Sequence, residues 1–308
     1  ESTVYPGTTE EICVPILEEV SKLNFNADFF VGYSPERMNP GDALHTVENI
    51  VKVTSGSTEA AASIIDEFYR NILNVSTFKA TSIMVAEASK ILENAQRDVN
   101  IAFMNEMAVF FDKIGIKTVE VLAAAKTKWN FLDFKPGLVG GHCISVDPYY
   151  LVSRAEQINH KLQIVKASRE VNESIPKVIS NKVQQQLLDV HSSIDNLKVL
   201  ILGLAFKENV KDTRNSKVMD IANDLNKKGL VVDIYDPVVG IDLAVPNSNI
   251  AIISRFPSDK MFHVVIAAVS HEEIKAIDIS EIKKIMYDQP VFIDVKGIWP
   301  TEEVTFRL

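Results

Sequence analysis

Cys143 sits in the run Gly140-Gly141-His142-Cys143-Ile144-Ser145-Val146-Asp147, whose residue types suit covalent catalysis. Two glycines let a backbone approach a ligand closely. A thiolate is a strong nucleophile, and a helix amino terminus or a nearby cation lowers a thiol pKa from its reference of about 8.5. If Cys143 opens a helix, Asp147 lies one turn on and on the same face. The competing reading is an inert, buried cysteine in a glycine turn. Lys90 and Asn94 have the same four-residue spacing. Small and apolar neighbours, Ala86, Ala88, Ile91 and Leu92, suit a partly desolvated ammonium that donates to an oxyanion. The alternative is a solvated lysine beside a polar asparagine. His142 is the histidine nearest to chemistry. No cluster of His, Cys, Asp and Glu has metal-ligand spacing, so no metal is expected. There is no nucleophile elbow to support a Ser-His-Asp hydrolase.

Two further segments could bind ligands. Ser34-Pro35-Glu36-Arg37 follows a β-rich run, and loops at the carboxyl ends of strands carry ligands in open α/β sheets. Glu36 is a candidate base or water-orienting group, or part of an ordinary turn. Gly203-Leu204-Ala205-Phe206-Lys207 ends an apolar run, and Asp212-Thr213-Arg214-Asn215-Ser216 leads into a helical one. Lys207 and Arg214 are thus cations within reach of a helix amino terminus, a natural phosphate site. The pattern is not GxGxxG, so spacing alone does not predict a dinucleotide there.

The elements that must position these residues alternate. Helical periodicity covers 8–23, with Ile12, Val14, Ile16, Leu17 and Val20 as the apolar face. Strands are predicted over 28–33 and 50–54, and a helix over 57–71 with Ser57 or Thr58 as N-cap. A long helix spans 81–113, a length that suits a domain bridge or a dimer interface. A shorter helix covers 116–125, a Gly- and Pro-rich loop 129–150, and further helices 163–190. Strands at 198–203, 231–235, 264–268 and 291–294, with a helix over 216–228, form a doubly wound α/β pattern.

The chain has 308 residues, enough for two domains. Its formal charge is -9, with no basic stripe, which argues against a nucleic-acid partner. No apolar run reaches the roughly 18 residues of a membrane span, and the first residues do not read as a signal peptide. Two cysteines far apart in sequence fit a reducing compartment, the cytoplasm.

Taken together, the motifs resemble the UDP-glucose/GDP-mannose dehydrogenase family. The resembling pieces occur in family order over nearly the whole chain: 1–9, Gly32 to Arg37, Glu87 through Asn94, 97–101, 128–131, 136–150 and 203–216. The resemblance implies three parts: residues 1–78 from the C-terminal part of an NAD-binding Rossmann domain, 79–190 as a helical centre with a long dimerisation helix, and 191–308 as a Rossmann-like UDP-binding domain. The family's Gly-rich fingerprint and first βα units have no counterpart here, so NAD binding and turnover by this chain alone are in doubt.

The implied activity is a two-step, NAD-dependent oxidation of a sugar 6-hydroxyl to the acid, by a homodimer. Cys143 would be the nucleophile and Lys90 the oxyanion stabiliser. Asn94, Asp147 and Glu36 would position water and move protons. Thr3 and Arg214 are similar to NAD contacts; Arg37, Phe131, Phe134, Gly137, Phe206 and Lys207 are similar to the nucleotide-sugar pocket. The 134–139 segment is most like the UDP-N-acetylhexosamine enzymes, with UDP-glucose as the alternative sugar. Two rivals stand: a β-hydroxyacid dehydrogenase, which needs no cysteine, and a non-catalytic UDP-sugar-binding dimerisation module.

Overall fold

The computed structural model describes residues 1–38, 44, 46, 48–73 and 76–308. They divide into two compact units, Glu1–Arg97 with Val146–Lys166 and Asp98–Ser145 with Ala167–Leu308.

The first unit opens on a π-helical turn, Thr9–Cys13, that runs into α1 (Val14–Ser21). Of the predicted apolar face only Val14 is buried, and Val20 is 79% exposed. A three-stranded sheet follows. β1 (Gly32–Tyr33) is antiparallel to β2 (Lys52–Gly56), which is parallel to β3 (Thr77–Lys79). The strand predicted over 28–33 shortens to two residues for a local reason. Asn26 adopts a φ of 59°, and the Asp28 carboxylate accepts from the Asn24 N–H, so 24–28 forms a turn. Between β2 and β3 lies α2 (Glu59–Ile72), capped by the Thr58 hydroxyl, which accepts from Ala61 N–H.

Four helices form the middle of the chain: α3 (Ile83–Lys113), α4 (Thr118–Ala125), α5 (Asp147–Gln157) and α6 (Gln163–Leu188). Glu87 of α3 is fully buried, and its carboxylate accepts from Gly7 N–H, Thr9 N–H and the Thr9 hydroxyl. That bond set ties the turn before α1 to α3.

The second unit is built on a seven-stranded sheet. Its strands are β4 (Lys198–Leu202), β5 (Val231–Tyr235), β6 (Leu243–Ala244), β7 (Ile250–Ile253), β8 (Phe262–Ala267), β9 (Met286–Asp294) and β10 (Phe306–Arg307). Their order is β10-β9-β8-β4-β5-β7-β6, parallel throughout except for β6. Alternation along the strands feeds two cores. Val199, Ile201, Val232 and Ile234 pack on one face with α6 and with α7 (Lys217–Lys227). Leu200, Leu202, Val265 and Ala267 pack on the other with Ile274 of α8 (Glu272–Lys275) and Ile282 of α9 (Ile279–Lys284). Strands covered on both sides read as the continuous apolar runs seen in the sequence.

Order reverses at β4, between β8 and β5, and the loops after these strands need partners for their backbone N–H groups. Asp236, fully buried at the end of β5, supplies them: it accepts from Leu204, Ala205, Val238 and Val239 N–H and faces His271 Nε2 at 3.1 Å. Burial alone would push this carboxyl up, but the bonds from His271 and the backbone outweigh it and bring the pKa down to about 2. Because the folded pKa lies below the unfolded one, the stabilisation is full above about pH 4 and is lost as pH falls toward 2. Asp236→Asn is therefore expected to lose about 2 kcal/mol at pH 7 and to show a flatter decline in unfolding free energy between about pH 4 and 2 than the parent chain. Urea unfolding at a series of pH values measures this, and parallel declines would refute the role.

Candidate functional site

In the first unit, α3 presents Lys90 and Asn94 and α5 begins at Asp147, with Pro148 in its first turn. Asn94 Nδ2 donates to Asp147 Oδ2 at 2.6 Å. Burial pushes the Asp147 carboxyl above its ordinary range, opposed by the Asn94 bond and the Lys90 charge. Lys90 is only 8% exposed, so it is the desolvated lysine rather than the solvated one. The result is a buried carboxylate that holds its proton more readily than usual, between an amide and an ammonium. A base or proton relay needs that property.

Glu36 and Arg37 lie elsewhere in this unit's bonding. Glu36 is half-buried and accepts from Met38 N–H in a local turn. Arg37 pairs with Glu93 at 2.8 Å and donates to the Val51 carbonyl. Among the described residues neither bonds to Asn94 or Asp147. Thr3 is half-buried, next to Ser2, whose carbonyl accepts from Tyr33 Oη.

In the second unit, Cys143 lies in a series of turns over 141–146, and the helix starts only at Asp147. The expectation that Cys143 opens a helix and shares a face with Asp147 is therefore corrected. Gly141 has a φ of +85°, and the Ser145 hydroxyl closes back on the Gly141 carbonyl, so the chain turns tightly before the helix begins. The Cys143 thiol is exposed, unlike an inert core cysteine. The two glycines have a more specific reason than ligand approach. A Cβ at Gly141 would lie 2.6 Å from the Phe206 ring, and one at Gly140 would lie 2.6 Å from the Asn215 carbonyl. The loop after β4 thus packs directly on the cysteine loop, reinforced by Gly141 N–H to Asn215 O and Asn215 Nδ2 to Gly141 O.

That packing walls a narrow cleft of about 10 Å³ lined by Gly140, Phe206, Lys207, Glu208, Lys217 and Lys296. It lies at the carboxyl ends of β4, β8 and β9, at the order reversal where open sheets bind ligands. Its charged lining is mixed: Lys296 faces Glu208 at 3.9 Å, Lys217 is paired with Glu173 and Asp220, and Lys207 is the third lysine. Phe131 and Phe134 are half-buried, and neither they nor Gly137 line the cleft, although Leu138 does. Arg214 is 74% exposed and bound to Asp212, which also faces His142 Nε2 at 3.3 Å. The Arg214 bond holds the Asp212 carboxyl well below the usual range.

Lys217, Lys296, Asp236 and His271 do not stand out as chemical motifs in the sequence. The available signal was position: each is polar and lies beside a strand end or at a helix start. Among the described residues no group of three or more His, Cys, Asp or Glu could hold a metal, and no helix is long and apolar enough to cross a membrane.

Family models match along the chain: the NAD binding domain of the UDP-glucose/GDP-mannose dehydrogenase family over residues 1–73, its central domain over 84–174 and its UDP binding domain over 200–301. A UDP-N-acetyl-D-glucosamine 6-dehydrogenase of Pseudomonas aeruginosa is 46% identical over all of this chain and 73% of its own length. The chain belongs to the UDP-glucose/GDP-mannose dehydrogenase family.

Protein CapL of Staphylococcus aureus is 47% identical over 99% of this chain and 71% of its own. A solved UDP-D-ManNAc dehydrogenase of Pyrococcus horikoshii superposes with a TM-score of 0.86 at 28% identity, covering 99% of this chain and 70% of that one. As a member of the family the chain is a nucleotide-sugar dehydrogenase with NAD as cofactor and a UDP-sugar as substrate. Its residues fit NAD in part. At the turn from β2 into α2, Gly56 packs on the start of the helix, where a Cβ would lie 2.3 Å from Ala62 N, and the Thr58 hydroxyl takes the Ala61 N–H. Thr3 offers a half-buried hydroxyl.

Gly137 does not line the cleft, and its expected place in the nucleotide-sugar pocket is open to a direct test. Its φ is not in the left-handed region, and a Cβ there meets no atom within 4 Å outside its chain neighbours. Gly137→Ala is expected to keep its melting temperature while its affinity for a UDP-sugar falls about tenfold, or 1.4 kcal/mol. Calorimetry reads both, and unchanged affinity would remove Gly137 from the pocket.

Proposed function

We propose that this dehydrogenase oxidises the 6-hydroxyl of a UDP-N-acetylhexosamine, in the first instance UDP-N-acetylglucosamine, to the uronic acid in two steps. The observation that carries this reading is the exposed Cys143 thiol, three residues after Gly140 in the wall of a cleft that three lysines and Glu208 line. The sugar is supported by the name and 46% identity of the Pseudomonas relative.

When bound, NAD takes up a hydride in each oxidation, and Thr3 and Arg214 are the residues of this chain that would hold it. In the first oxidation the hydroxyl proton leaves to a carboxylate, Asp147 or Glu36. The Cys143 thiolate then adds to the aldehyde carbon, forming a C–S bond and a thiohemiacetal alkoxide. Lys90 stabilises that oxyanion. Loss of the second hydride leaves a thioester. Water positioned by Asn94 and Asp147 adds to it, a proton passes to the carboxylate, and the thiolate leaves to give the acid. A cysteine suits both roles because its thiolate attacks well and departs well. Lys207, Lys217 and Lys296, with Phe206, bind the UDP away from the reacting carbon, which supplies positioning. Arg37, Phe131, Phe134 and Gly137 belong to the same substrate set in this reading.

The division into 1–78, 79–190 and 191–308 is part of the proposal, as are a partial N-terminal Rossmann domain and a cytoplasmic location. Their support is the extent of the three family models and the two unbridged cysteines. A homodimer through α3 is favoured by its exposed apolar side chains, Leu92, Phe103 and Phe110.

The test counts reduced cofactor. The protein is expected to form two NADH per sugar, and Cys143→Ala to lose acid formation by about 10³-fold or more. Full retention of both oxidations in that variant would refute the proposal and favour a hydroxyacid-dehydrogenase mechanism.

A further inference from the structure

Asn105 lies on α3 in the second unit and is fully buried. Its Oδ1 accepts from Gly137 N–H at 2.8 Å, and its Nδ2 donates to the Gly137 carbonyl at 3.0 Å. One side-chain amide thus satisfies both backbone groups of one residue, as a neighbouring strand would. The same Nδ2 donates to Asn172 Oδ1 of α6 at 2.8 Å. Asn172 in turn donates to the carboxylate of Asp98 at 2.7 Å and to its carbonyl at 3.0 Å. Asp98 is paired with Arg169, and both are buried. Arg169 also binds Glu173, which binds Lys217. Lys217 lines the cleft. A continuous polar path therefore runs from the backbone of Gly137 to the cleft wall.

The segment this path holds has no regular secondary structure of its own over 131–140. Gly137 is buried, yet the space its side chain would take contains no atom within 4 Å outside its chain neighbours. The residue is clamped on the side facing α3 and open on the other. From this juxtaposition we infer that Asn105 is a positioning residue for nucleotide-sugar binding: it fixes the backbone of 136–138 so that the open side of Gly137 receives the substrate. The inference rests on the proposed function, because the substrate class comes from there.

The experiment uses the full-length protein with UDP-N-acetylglucosamine and NAD. Asn105→Ala is expected to raise KM for the sugar nucleotide at least tenfold while KM for NAD stays within twofold. Asn105→Asp keeps the shape and the acceptor but turns an anion toward two oxygen acceptors, the Gly137 carbonyl and Asn172 Oδ1. Its sugar KM, taken relative to the parent protein at each pH, is expected to fall as pH is lowered, because a protonated carboxyl donates again. Asn172→Ala, which removes the partner orienting Asn105 without touching Gly137, is expected to give a smaller rise of about threefold and serves if the Asn105 variants do not fold. A purely structural amide would lower melting temperature and active fraction and leave both KM values alone; that outcome overturns the inference. If the parent protein neither binds nor oxidises any UDP-sugar, the proposed function fails and the inference falls with it.

Discussion

Backbone N–H groups that leave a parallel strand have no ladder partner, and in this protein buried carboxylates take them. Asp236 collects four backbone N–H groups at the ends of β4 and β5. Asp294 collects Lys296, Gly297 and Trp299 N–H after β9, together with Arg307. Glu87 does the same for the turn at Gly7 and Thr9. A bare buried carboxylate is strongly disfavoured, but several donors aimed at one group offset its desolvation and remove as many orphan N–H groups from the interior. These loops bring Phe206, Lys207 and Lys296 to the cleft, so the site inherits its rigidity from anions that take no part in chemistry.

The same economy is seen on α3. Among its buried positions in the second unit, Asp98, Ala102, Asn105 and Ala108 recur at helical spacing, with small residues alternating with polar ones, and Met104 is buried beside them. The alanines take up little room, and the polar residues meet Arg169 and Asn172 of α6. Breaking one partner of such a set leaves a buried charge or amide unpaired, which is far more damaging than the set's net contribution to stability. The first unit holds a buried carboxylate with a raised pKa beside Asn94 and Lys90; the second holds the thiol and the cleft.

Much of the second unit was legible because its strands are buried on both faces. The apolar run at 198–203 and the strand at 231–235 match β4 and β5 almost residue for residue. Thr58 was legible as an N-cap because a hydroxyl just before a helical pattern has a local partner. The short strands β6, β7 and β10 were not, since two to four residues carry too little periodicity. The cysteine loop was legible as chemistry but not as geometry. Its glycines answer to Phe206 and Asn215, residues more than 60 positions away. Asn105, Asp236 and His271 were invisible as a class, because a polar residue in the sequence does not say that it is buried or which backbone it holds.

The most direct measurement is a calorimetric titration of the protein with UDP-N-acetylglucosamine, repeated with UDP-glucose. The account predicts binding of the acetylated sugar with a Kd on the order of micromolar, about tenfold tighter than UDP-glucose. Absence of binding to any UDP-sugar by protein shown to be folded would contradict it.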